Sequence, residues 1–217
     1  MSQEEPYNPL DKRNLGFSVA EAMLERPVLK LPPSEVFDGA GVYAIYYAGN
    51  FPAYKTIADK NKNDKWEQPI YVGKAVPKGA RKGVGLGLPA GRVLHARLKE
   101  HADSITEAKN LNTKDFWCRY LVVDDIWIPL GESLLIEMFK PIWNIVIEGF
   151  GIHDPGGGRA KQKRSPWDVL HPGRGFADKL QPGKYTKDEI LVNLDKWFAG
   201  QPVEVVSNID AVLADED

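Results

Sequence analysis

Two tyrosines stand beside glycines in β-rich segments: Tyr43 in GVYAIYY and Tyr71 in PIYVGKA, the second followed by Lys74. Downstream lie Arg97 and His101, four apart in RVLHARLKEH, then Glu132 in GESLLIEMFKPIWN and Asn144 twelve residues on. These types divide the work of acid–base chemistry on an anion. Arg97 offers a planar, permanently charged fork that clamps an oxyanion. His101 titrates near neutrality and can accept or relay a proton. A phenol, with an ordinary pKa of about 10, is a poor base alone, but Lys74, Arg97 and a divalent cation close by would favour its phenolate. A carboxylate on the apolar side of a helix needs a cation, and a hard divalent ion with oxygen ligands serves. Glu132 fits, with Leu135, Ile136 and Phe139 at +3, +4 and +7; Glu137 is its rival, and periodicity separates the two poorly. One cysteine and four scattered histidines give no zinc-ligand spacing.

Those side chains need elements to hold them. The runs 41–47 and 69–73 read as adjacent strands, rich in Val, Ile and Tyr, so the two hydroxyls can meet at one end of a sheet. Residues 48–68 between them exceed a hairpin turn and form an insertion. Residues 75–90 form a second insertion, Gly-rich and basic; KGVGLGLPAGR within it lacks the spacings of a nucleotide loop. A helix over about 91–104, with Val93, Leu94 and Leu98 as its apolar stripe, puts Arg97 and His101 on one face at the stripe's edge. A third strand spans 116–123, with Cys118 as a small core residue, and a helix over about 129–140 stops at Pro141. Ahead of all this, residues 1–35 are a polar, proline-punctuated arm with one helix, SVAEAMLER, capped by Ser18; it either packs on the core or clasps a partner. After the core, 36–150, residues 151–217 hold a basic, turn-rich segment, the amphipathic helix KDEILVNLDKWF and an acidic tail. The order β, β, α, β, α predicts an α+β fold: a small antiparallel sheet flanked by helices.

The tyrosine motifs, Arg97, His101, Glu132 and Asn144, in that order, resemble the GIY-YIG nuclease superfamily over residues 40–145. The resemblance implies a three-stranded sheet, and metal-assisted cleavage of a nucleic-acid phosphodiester by Tyr43, Tyr71, Lys74, Arg97, His101, Glu132 and Asn144. The superfamily's metal-binding glutamate stands nine before a proline and twelve before an asparagine, as Glu132 does from Pro141 and Asn144, and this selects Glu132 over Glu137. The implied ion is Mg²⁺, with Mn²⁺ as a substitute, and Asn144 would help hold the site. Whether Tyr43 or His101 is the main base stays open. Both insertions depart from the minimal pattern and are read as grafted DNA contacts.

A net charge of −2 looks wrong for a nucleic-acid binder until the charge is located. Residues 74–101 hold seven Lys/Arg and one acid; residues 151–187 hold eight Lys/Arg and three acids. Eight of the acids fall from Asp188 onward, and local potential rather than the chain sum governs phosphate binding. Lys78, Arg81, Lys82 and Arg92 are candidate DNA contacts in the first stretch, and Arg159, Lys161, Lys163, Arg164 and Arg174 in the second. A chain of 217 residues with 43% apolar residues supports a sizeable core. The single cysteine, the absence of an apolar run of membrane-spanning length and a polar start indicate a cytoplasmic protein without a membrane partner.

A core embedded in its own decorations, with no separate DNA-binding module, resembles the type II restriction endonucleases of the superfamily. That branch implies a homodimer cutting both strands of a short, GC-rich palindrome in double-stranded DNA. A structure-specific repair or recombination nuclease, and an inactive DNA-binding module, are the alternatives.

Overall fold

The computed structural model describes residue 8 and residues 10–77, 89–152 and 162–203. Four strands form one antiparallel sheet: β1 (Leu29–Lys30), β2 (Gly41–Tyr47), β3 (Pro69–Ala75) and β4 (Phe116–Val122), in the order β1-β4-β2-β3. Around it lie α1 (Lys12–Leu24), α2 (Lys55–Asn61), α3 (Val93–Glu107), α4 (Ile128–Phe139), α5 (Ile142–Ile145), α6 (Pro166–Leu170) and α7 (Lys187–Phe198).

Every residue of β2 is buried, because both faces of the strand are covered. Tyr43 and Ile45 pack with Leu94 and Leu98 of α3 and, further out, with Trp143, Trp167 and Leu194. Val42 and Ala44 pack the other way, with Ala20 and Met23 of α1 and Leu134 and Leu135 of α4. Two helical layers therefore sandwich the sheet. Among the described residues, no helix is long and apolar enough to cross a membrane.

The sheet has four strands, not the expected three. Leu29 pairs with Cys118 and Lys30 with Trp117, where the Lys30 ammonium lies 3.4 Å from the ring centroid. Two residues cannot display an alternating pattern, and flanking prolines mask them further. The first helix is longer than SVAEAMLER: it begins at Lys12, where the Asp11 carboxylate accepts the Arg13 N–H, so Ser18 is interior rather than a cap.

Other elements match their sequence signals closely. The insertion 48–68 folds into a single turn and α2, and buried Asn61 closes it. Its amide donates to the Tyr47 and Gln68 carbonyls, while its oxygen accepts the Gln68 N–H. Helix α4 has Pro129 in its first turn and ends in a left-handed Lys140 (φ 44°) ahead of Pro141. Helix α7 opens on a reciprocal cap between Thr186 and Glu189, which holds the Glu189 carboxyl below its ordinary range, and buries Ile190 and Leu194. Cys118 is fully buried, and that burial pushes its thiol up to about 12.

Candidate active site

The β2–β3 register sets Tyr43 opposite Gly73 and Ile45 opposite Tyr71, so both tyrosines project from the same face. Their rings are 6.2 Å apart, centre to centre. Gly73 is required by contact: a Cβ there would lie 2.4 Å from the Tyr43 hydroxyl. The glycine of the second motif thus makes room for the tyrosine of the first.

Helix α3 delivers the next two groups to this face. Leu94, Leu98 and Ile105 anchor it in the core, and His101 falls within the buried stripe at 2% exposure. Its Nε2 is 2.6 Å from the Tyr43 hydroxyl. Arg97, one turn earlier, keeps 20% of its side chain exposed. Nη2 donates to the Gly151 carbonyl at 2.9 Å and Nη1 to Glu100 at 3.2 Å.

Without a divalent ion, burial dominates the tyrosines. Burial raises Tyr43 well above the ordinary phenol range, and the neighbouring Tyr71 adds to the rise while Arg97 opposes it. Burial likewise raises Tyr71 against the pull of Arg97. Desolvation wins over the Arg97 guanidinium, so both tyrosines are phenols at neutral pH rather than phenolates. A neutral phenol can donate to an imidazole nitrogen or accept from it, so the direction of the Tyr43–His101 hydrogen bond follows the imidazole tautomer. Burial works against Arg97's charge, yet its interactions with Tyr43, Tyr71 and Glu100 raise its pKa, so the guanidinium stays charged.

Lys74 and Glu132 meet around the outer strand. Lys74 pairs with Val42, whose side chain packs on the α1/α4 side, and Nζ lies 2.7 Å from Glu132 Oε2. Glu132 is 18% exposed, and its charge raises both tyrosines further. Glu137 is elsewhere: 59% exposed and 3.2 Å from Arg13. The site thus wraps β3, with tyrosines, imidazole and guanidinium on one side and the ammonium–carboxylate pair on the other. Asn144, on α5, accepts the Val72 N–H and donates to the Val72 carbonyl, each at 2.8 Å. It fixes β3 between Tyr71 and Gly73. Among the described residues, no three His, Cys, Asp or Glu side chains form a metal cage. Glu132 offers one protein carboxylate, which suits an ion that completes its shell from phosphate and water, and such an ion would share that carboxylate with Lys74.

The candidate DNA contacts divide. Arg92 is open, 69% exposed and 3.5 Å from Asp38. Lys163 is exposed beside a bridge to Gln181, and Arg164 donates to the Ala177 carbonyl and lies 3.6 Å from Asp178. Lys78, Arg81, Lys82, Arg159 and Lys161 lie outside the described residues. Arg174 is not a DNA contact. Its side chain is 1% exposed and bound to Asp168, and its guanidinium donates to the carbonyls of Gly149, Phe150 and Ile152.

Sequence reasoning missed Phe150. Its ring stacks on His101 (4.5 Å, 19° between planes) and meets Tyr71 edge-on at 5.0 Å. An aromatic between two glycines in EGFGIH was the available signal, since such a spacing lets backbone approach closely.

A family model described as the Eco29kI GIY-YIG domain matches residues 35–198. That span holds β2, β3 and β4 and all seven residues of the site, and it leaves out α1 and β1. No curated protein matches the chain.

Proposed function

The chain belongs to the Eco29kI GIY-YIG domain family, a type II restriction endonuclease family, and from that premise we propose that it makes double-strand cuts in a short, palindromic, GC-rich DNA site by Mg²⁺-dependent hydrolysis. Membership makes it a nuclease acting on DNA; the metal, the site and the two-fold arrangement are the finer reading. The observation that carries the mechanism is the 2.6 Å contact between the Tyr43 hydroxyl and His101 Nε2 beside Arg97.

In this reading Tyr43 takes a proton from the attacking water as its own proton passes to His101 Nε2, leaving an imidazolium and a hydroxide aimed at phosphorus. A phenol that is hard to ionise thereby acts as a base without ever holding a full charge. Arg97 turns its fork to the scissile phosphate, where its charge offsets the anion building on the equatorial oxygens. Tyr71, beside Arg97 on the same face, orients the water. Glu132 would hold the divalent ion, which when bound neutralises phosphate charge and stabilises the leaving 3′ oxygen. Lys74 keeps the Glu132 carboxylate aimed at the site and supplies positive charge there. Arg92, Lys163 and Arg164, with Lys78, Arg81, Lys82, Arg159 and Lys161, are the proposed DNA contacts, because Lys and Arg bind phosphates and read guanine edges. Two copies on a two-fold axis would cut both strands.

Plasmid incubated with the purified chain and Mg²⁺ tests this reading. Discrete fragments are the expected outcome. Cutting confined to branched DNA would point to a repair nuclease, and binding without cutting would leave a recognition module.

A further inference from the structure

Four consecutive backbone carbonyls lie against the site, and two guanidinium groups take all four. Arg174 donates to the carbonyls of Gly149 (2.8 Å), Phe150 (3.1 Å) and Ile152 (2.9 Å), and Arg97 donates to that of Gly151 (2.9 Å). Between them, the Phe150 ring covers His101, and Gly151 passes so close to Tyr71 that a Cβ would lie 2.7 Å from its hydroxyl. Residues 149–152 are thus the roof over Tyr71, Arg97 and His101.

On this basis we propose that Arg174 is a positioning residue, which sets the geometry of Arg97, Tyr71 and His101 by clamping residues 149–152 over them. The proposal rests on the nuclease reading of that site. Its first support is the completeness of the clamp. All five N–H groups of the guanidinium are used: Nε and Nη2 on Asp168 (2.7 and 2.8 Å), the remainder on the three carbonyls. Asp168 is itself aimed, since Ser165 Oγ donates to Oδ2 at 2.6 Å and accepts the Asp168 N–H at 3.2 Å. Trp167 lies under the guanidinium at 4.5 Å and holds it flat. A buried ion pair is well formed only with such geometry and with its remaining donors satisfied. Its second support is directional. Apart from its two bonds to Asp168, the fork spends every donor on the carbonyls of residues 149, 150 and 152, and Arg97 takes the carbonyl of Gly151 in the same row. A lysine could keep one bond to Asp168 but could not span three carbonyls.

The test uses the full chain carrying Arg174→Lys and two readouts. One is the ring-proton resonances of His101, which the stacked Phe150 shields. The other is the single-turnover cutting rate set beside the DNA Kd. R174K is expected to fold, to shift the His101 resonances towards those of a Phe150→Leu chain, and to lose on the order of 10²-fold in rate with Kd within about twofold, because small misplacements of reacting groups cost rates of that size. A lower Tm with unchanged His101 resonances and an unchanged rate would make Arg174 purely structural and overturn the proposal. If R174K does not fold, Ser165→Ala, which removes the hydroxyl aiming Asp168, must give a smaller shift and rate loss in the same directions; no change would refute the clamp. If the wild-type chain cuts no DNA, the nuclease reading fails, and the His101 resonances still decide whether Arg174 controls this cluster.

Discussion

At the scale of single residues, the informative contest is between burial and charge at Tyr43. The Arg97 guanidinium nearby favours a phenolate, but the hydroxyl has lost its water, and desolvation raises its pKa well beyond what Arg97 returns. In the proposed mechanism the Tyr43 proton leaves for His101 as another arrives from water. Tyr43→Phe keeps the ring in the core and deletes only that exchange, so the cutting rate should fall by about 10²–10⁴-fold with little change in thermal stability. Activity within a few-fold of wild type in a single-turnover assay would reduce Tyr43 to a packing residue. Glu132→Gln should abolish cutting while leaving DNA binding intact or tighter, since it removes the proposed metal ligand and a negative charge near phosphate. Glu137→Gln, at an exposed pair with Arg13, should cut normally; the reverse pattern in parallel plasmid assays would mean the wrong carboxylate had been chosen.

Elements are joined here by a second buried tyrosine–histidine pair, remote from the first in sequence. Trp143 Nε1 donates to the Tyr54 hydroxyl, which hydrogen-bonds His171 Nε2, and His171 Nδ1 meets Asn110 Oδ1 at 2.9 Å. The chain links the 48–68 insertion, α5, the loop after α3 and the end of α6. Burial, followed by Lys187 and Arg174, lowers His171 to about 3, so it stays neutral in the folded protein. An unfolded histidine titrates at about 6.5. Its stabilisation is therefore complete above that value and is lost as pH falls towards 3, because only the unfolded chain gains the proton in that window. The slope is about 1.4 kcal/mol per pH unit. Urea midpoints between pH 4 and 6 should fall faster for wild type than for His171→Gln; equal slopes would show that His171 protonates in place. How much of this was legible beforehand follows from range. β2, β3, β4, α3, α4 and α7 declare themselves by local periodicity, proline and caps, while the seven proposed site residues are picked out by their type, their order and the resemblance. β1 is too short to have a period, and Arg174 has the composition of a DNA contact. Its buried fate depends on Asp168 and on backbone more than twenty residues away, which no local pattern encodes.

For the whole molecule, the proposal requires two chains per DNA site. One copy carries a single Glu132 and can attack one phosphate per engagement, so clean double-strand cuts follow most simply from two copies about a two-fold axis. Analytical ultracentrifugation with a cognate duplex should give two protein chains per duplex, and fragment ends should be symmetric about the site centre. A one-to-one complex that only nicks would refute the palindrome reading. Helix α1 packs on α4 through Gly16 against Leu130 and Leu134, so this helix of the arm is part of the body rather than a free clasp.

The two hydrogen bonds between the Asn144 amide and Val72 also bear on what the protein avoids. An outer strand with an open row of N–H and C=O groups is a template on which another chain can grow. At the middle of β3 both groups are taken by one side-chain amide. A second copy therefore cannot extend the sheet across β3 into a continuous eight-stranded ribbon without first expelling α5. The pairing that could seed fibrous growth on this edge is blocked beside the tyrosines, and β1 is left as the other edge of the sheet.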